Sequence, residues 1–178
     1  MKNKTGKFAR AGALAAIAFI LQVIGSMMGL KVSGFLEIEL SDFPAIVGAF
    51  ALGPFWGVGI EFVKNLLHLS ISSTGFVGEL ANFVVNGVYV LTLGFIYSRM
   101  KTKKGAVVSL IIGGVVMVLA AVLTNLYIML PLYMGGAPFG EKLRLVLTVI
   151  TPFNAARALV LSVITLFSYK KLSPLLKK

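Results

Sequence analysis

The sequence predicts an all-α membrane protein with six transmembrane helices, both termini cytoplasmic and a short second helix. Three observations carry this. The 178 residues are 58% apolar and only 13% charged, whereas a soluble domain carries roughly 25% charged residues; the mean hydropathy is +0.95. Apolar runs of membrane length recur along the chain. Twelve of the seventeen basic residues fall in three short clusters between those runs: Lys2, Lys4, Lys7, Arg10; Arg99, Lys101, Lys103, Lys104; and Lys170, Lys171, Lys177, Lys178. Basic residues grouped in this way beside apolar spans mark the cytoplasmic face.

The elements follow in order. A span needs about 20 apolar residues. The first runs from about Phe8 to Leu30. Its charged start and apolar body resemble a signal peptide, but its length suits a retained helix. The region Phe43–Leu69 is interrupted by Gly53-Pro54. Proline lacks the helical donor and disfavours helix in the residue before it, so this region is one kinked span or two helices. Charge parity decides. With the N-terminus inside, Arg99–Lys104 is also inside only if an even number of spans precede it, which requires two helices. The first of these, about Ser41–Leu52, is short, about 18 Å at 1.5 Å per residue. The remaining spans are about Val77–Met100, Ala106–Tyr133 and Leu143–Tyr169. They return the lysine-rich C-terminus to the inside. Five of the six acidic residues (Glu37, Glu39, Asp42, Glu79, Glu141) then lie at outer ends, and only Glu61 is mid-span. The whole chain, 1–178, reads as one transmembrane domain.

Several function classes are excluded. Cysteine is absent, which removes disulfides, thiolate metal sites and cysteine nucleophiles. The net charge of +11 does not mark a nucleic-acid partner, because the cations flank apolar spans; a lipid bilayer with anionic headgroups is the partner that fits. There is no Walker loop, HExxH or GxSxG, so no enzyme and no ATP hydrolysis is expected. A single histidine makes a metal site implausible. No internal repeat supports inverted-repeat transporter architecture.

The intramembrane polar residues are few, and such residues usually face a bundle interior or cavity. Glu61, Lys64, Asn65 and His68 are spaced i, i+3, i+4, i+7 and share one helix face. Glu79, Asn82 and Asn86 share a face of the fourth helix. Asn125 lies late in the fifth helix, and Asn154 and Arg157 lie about a third to half-way along the sixth. In the six-helix topology Lys64 to His68, Glu79, Asn82, Asn125, Asn154 and Arg157 lie in the outer half, above inner halves that are almost purely apolar. This predicts a pocket open outward and sealed inward, rather than a continuous polar path. Glu61 and Lys64 are either a structural neutralising pair or part of the site. His68 reads as a packing or hydrogen-bonding residue. The first helix carries overlapping small-residue pairs, Ala9/Ala13, Ala11/Ala15 and Gly12/Ala16, which serve either internal packing or docking onto another membrane protein.

Particular stretches resemble a known family. The segment Leu36–Ala45 (LEIELSDFPA), Gly53-Pro54 followed by Glu61–His68, Gly78–Asn82, Asn125 with Leu130–Tyr133, and Thr151–Asn154 occur in the order found in riboflavin-specific S components of energy-coupling factor (ECF) transporters. The resemblance covers almost the whole chain. It implies a multi-pass protein of a prokaryotic plasma membrane. Such a subunit binds riboflavin with high affinity, as transported ligand rather than cofactor, and works with a transmembrane T component and two ATPase subunits. The implied substrate-binding residues are Ile38, Glu39, Leu40, Lys64, Asn65, Gly78, Glu79, Asn82, Asn125, Asn154 and Arg157, with Ala11 and Ala15 as the docking pair. Arg157 stands where the family often has lysine, which replaces a point donor with a planar fork. Glu39 stands where aspartate is frequent. Asparagine offers both donor and acceptor to the uracil-like edge of the flavin, and Asn125 and Asn154 suit that edge. Lys64, Asn82 and Glu79 suit the ribityl hydroxyls, and apolar residues of the first loop and second helix suit the ring. The rival readings are the same fold binding FMN or another vitamin, an autonomous secondary transporter, and a ligand-free membrane scaffold.

Overall fold

The computed structural model describes residues 2–28, 31–32, 36–37, 40–72 and 76–176. Among these, six helical rods account for the fold. The first three are α1 (Lys2–Met28), α2 (Phe43–Leu52) and α3 (Pro54–His68). The fourth is α4 (Val77–Arg99). Rod α5 begins as Lys103–Thr124, widens into a π-turn at Asn125–Met129 and ends at Leu130–Tyr133. Rod α6 comprises Phe139–Leu145, a π-turn at Val146–Ile150 and Thr151–Leu176. Four rods (α1, α4, α5 and α6) are long and apolar enough to cross a membrane, and α2 is a short apolar helix. One feature departs from a purely helical chain. In the first loop Lys31–Val32 pairs antiparallel with Leu36–Glu37, Lys31 opposite Glu37.

Local chemistry explains the boundaries. Gly53 joins α2 to α3 at φ +119°, a conformation open to glycine and costly for a residue with a Cβ. Pro54 then occupies the first turn of α3, where its missing N–H costs nothing. The two helices are therefore separate and close-packed. A Cβ on Gly57 would lie 2.6 Å from the Cβ of Ala49, and one on Gly94 would lie 2.8 Å from the Cα of Pro54. Rod α5 starts at Lys103, ahead of the expected Ala106, because Thr102 caps it: its hydroxyl accepts from the Gly105 N–H at 3.0 Å. The wide turns precede Pro131 and Pro152, and Thr151 Oγ1 donates to the carbonyl of Val146 at 2.8 Å.

Rod α4 is central, packed on α3 and α5, while α2 touches α1, α3, α4 and α6. Tyr89, Leu93, Leu110, Met117, Ile46, Ile60 and Leu161 fill the interior. The outside is equally apolar, with Met27, Phe55 and Phe167 more than 70% exposed; a surface of this kind suits lipid, not water.

The small residues of α1 divide differently from the expectation. Ala15 is buried at 2% exposure in the core, and Ala11 packs partly against that core. The exposed small residues are Ala9, Gly12, Ala13 and Ala16. A docking surface on this helix therefore cannot use Ala15, because α2 and α3 already cover that face. Choosing among overlapping pairs requires the rotation of α1, which the spacing does not specify.

Candidate functional site

The ends of α1, α3 and α5, the start of α4 and the middle of α6 meet around a cavity of ≈ 430 Å³. That volume lies in the small-molecule range. Each wall has a local cause. On α4, Gly78, Glu79, Asn82 and Asn86 recur at helical spacing and face inward. On α5, the π-turn begins at Asn125, and on α6 another ends at Ile150, one helical turn before Asn154. Wide turns of this kind are often found at functional sites. Asn125 Nδ2 donates to the Ala121 carbonyl at 2.8 Å, and Asn154 Nδ2 donates to the Ile150 carbonyl at 2.9 Å. These bonds fix both side chains in place at the cavity wall. Apolar contact comes from Val23, Met27, Val85, Met129 and Phe153.

Behind this wall lies a buried ion cluster. The Lys64 ammonium sits 2.7 Å from Asp42 Oδ1 and 2.7 Å from Glu61 Oε2. It also donates to Ser41 Oγ and Asn82 Oδ1, both at 3.2 Å. Asp42 turns its other oxygen to Arg157, 2.7 Å from Nη2. Asp42, Glu61 and Lys64 have no exposed side-chain surface, and Arg157 has 12%. Two cations face two carboxylates, so the cluster is neutral, which is how buried charge is tolerated at membrane depth. Lys64 also orients the cavity: Asn82 Oδ1 accepts from Lys64 and from Asn86 Nδ2, the latter at 2.9 Å. A second polar link joins three helices. His68 bridges Glu79 Oε1 at 3.0 Å through Nδ1 and Ser26 Oγ at 3.2 Å through Nε2. Among the described residues no cluster could hold a metal ion.

Most of the expected site is brought together. Gly78, Glu79, Asn82, Asn125, Asn154 and Arg157 all line the cavity. Lys64 and Asn65 do not. Lys64 is buried among Ser41, Asp42, Glu61 and Asn82, and Asn65 is 4% exposed and donates to the Glu61 carbonyl at 2.8 Å. Leu40 is exposed at 42% and is not in the wall. Ile38 and Glu39 lie outside the described residues. The stripe Glu61, Lys64, Asn65, His68 is buried as one face, and the Glu61–Lys64 pair is formed. Sequence reasoning did not find Gln22 and Ser26 of α1, which line the cavity one turn apart. Their signal was available: two polar residues spaced i, i+4 within an apolar helix. Nor did it assign Asp42 a role beyond marking a helix end.

The family model for the substrate-specific component of ECF transporters matches residues 7–169. The chain belongs to that family. This S component is a transporter subunit, not an enzyme. Among curated relatives it is similar to the riboflavin transporter RibU of Staphylococcus aureus, with 31% identity over 93% of this chain and 89% of the relative. It is also similar to the riboflavin transporter FmnP of Bacillus subtilis, with 30% identity over 96% of this chain and 94% of that one. Among solved structures, the S component of a bacterial ECF transporter superposes with a TM-score of 0.82 at 29% identity, covering 100% of both chains.

Proposed function

We propose that this S component captures riboflavin in the cavity and delivers it through an ECF transporter. One observation carries the reading. Four asparagines from three helices, with Arg157, converge on a small-molecule cavity that also has apolar walls, in a chain about 30% identical along nearly its whole length to two riboflavin transporters. Asn125 and Asn154, held by their own backbones, suit the donor and acceptor edge of the flavin ring system. Asn82 and Glu79 suit the ribityl hydroxyls, with Lys64 acting through Asn82 rather than touching the ligand. Asn65 acts likewise as a support of α3. Ile38, Glu39 and Leu40 remain candidates for covering the ring from the first loop.

Membership of the ECF S-component family supports a transmembrane T component and two ATPase subunits as the partners. The exposed ridge of Ala9, Gly12, Ala13 and Ala16 is the docking surface on α1. The protein resides in the plasma membrane as a multi-pass subunit with both termini cytoplasmic. The three basic clusters support this orientation, and the cavity then opens outward.

The test is the small molecule released when the purified protein is denatured. A flavin absorbance spectrum, together with quenching of riboflavin fluorescence by the refreshed ligand-free protein, is the expected result. Absence of both refutes the ligand. Uptake by this chain alone in liposomes, driven by a proton gradient, refutes the coupling-factor mechanism.

A further inference from the structure

Asp42 is used unusually. An aspartate at the start of a helix ordinarily caps it, and α2 begins at the next residue, yet the Asp42 side chain makes no cap hydrogen bond. Both of its oxygens go instead to cations, one at 2.7 Å from Lys64 and the other at 2.7 Å from Arg157. The carboxylate is fully buried. Arg157 reaches the cavity wall; no lysine does among the described residues. A guanidinium in that position is the natural anchor for a phosphate. Here it is committed to Asp42, while Glu61 at 2.7 Å balances Lys64. Glu79, on the same wall, adds a carboxylate. A phosphate, bearing close to two negative charges, would meet no unbalanced cation there.

We propose that Asp42 determines the charge specificity of the site: by holding Arg157 and Lys64 together in a neutral cluster, it favours an uncharged flavin over the same flavin carrying a 5′-phosphate. The inference rests on the riboflavin reading and extends it to a residue outside the cavity wall. Asp42 is a positioning residue that acts through Arg157.

The experiment compares riboflavin with riboflavin 5′-phosphate by fluorescence quenching of the purified, detergent-solubilised protein. The wild type is expected to prefer riboflavin. Asp42→Asn releases Arg157 and narrows the affinity ratio by about tenfold or more, the scale of one charge-assisted contact. Glu61→Gln removes the same charge from the cluster but touches Lys64 and not Arg157, and keeps the ratio within roughly threefold. If Asp42→Asn is poorly folded, the charge-balanced double variant Asp42→Asn/Lys64→Met is expected to show the same narrowing. Equal loss of both ligands with an unchanged ratio makes Asp42 purely structural and overturns the proposal. An equal shift from Glu61→Gln overturns it too, as does a wild type without preference. A wild type that binds neither flavin defeats the ligand reading itself, which is a separate result.

Discussion

Replacing Lys64 with methionine keeps the length of the side chain and removes its charge. In the wild type the ammonium is within 2.7 Å of both Asp42 and Glu61 and bonds Ser41 and Asn82 at 3.2 Å. The substitution leaves Asp42 with Arg157 and removes the cation paired with buried Glu61. Removing one partner of a buried ion pair costs about 3–5 kcal/mol, because the other charge is left uncompensated. For a chain of this size, about 1 kcal/mol moves Tm by roughly 2–4 °C, so Lys64→Met should lower Tm by roughly 6–20 °C. The assay is thermal unfolding in detergent, followed by circular dichroism, without ligand. The double variant Glu61→Gln/Lys64→Met restores the charge balance, leaving Asp42 with Arg157. It should recover at least about half of the lost Tm, the non-additivity expected of directly interacting groups. A loss under about 2 °C, less than 1 kcal/mol is worth at this size, would refute the view that the cluster stabilises the fold by charge compensation. So would a double variant no more stable than the single one.

Three further outcomes follow from the same geometry. Asn154→Ala should weaken riboflavin binding by about tenfold, or about 1.4 kcal/mol, with Tm little changed; unchanged affinity in a quenching titration removes Asn154 from the site. Gly12→Trp fills open space on the exposed side of α1 and should spare riboflavin binding while blocking uptake by the reconstituted transporter, whereas Ala15→Trp should fail to fold; uptake that survives Gly12→Trp moves the docking surface elsewhere. Gly57→Val forces a Cβ to within 2.6 Å of Ala49 and should cost about 1–3 kcal/mol by overpacking the α2–α3 contact; an unchanged Tm would show that the two helices separate freely.

Much of this protein is legible from composition and spacing. Apolar runs and basic clusters alone give a helical membrane protein, since lipid leaves the backbone few ways to satisfy its polar groups. Parity between the clusters places the break at Gly53-Pro54, where the structure has its positive-φ turn. Helical periodicity gives the buried stripe from Glu61 to His68 and the cavity face of α4, because side-chain direction along a helix is fixed by the 3.6-residue repeat. The topology set by the basic clusters adds Asn125 and Asn154 at the same depth, which single-helix spacing could not connect. Periodicity relates residues within one helix and says nothing about how that helix is rotated against its neighbours. That rotation, set by packing, decides that Ala15 is core and Gly12 is surface. It likewise decides that Gln22 and Ser26 reach the cavity. Ion-pair partners far apart in sequence depend on it as well. Asp42 precedes α2, Lys64 lies in α3 and Arg157 in α6, and only their approach to 2.7 Å in the folded bundle joins them in one buried cluster.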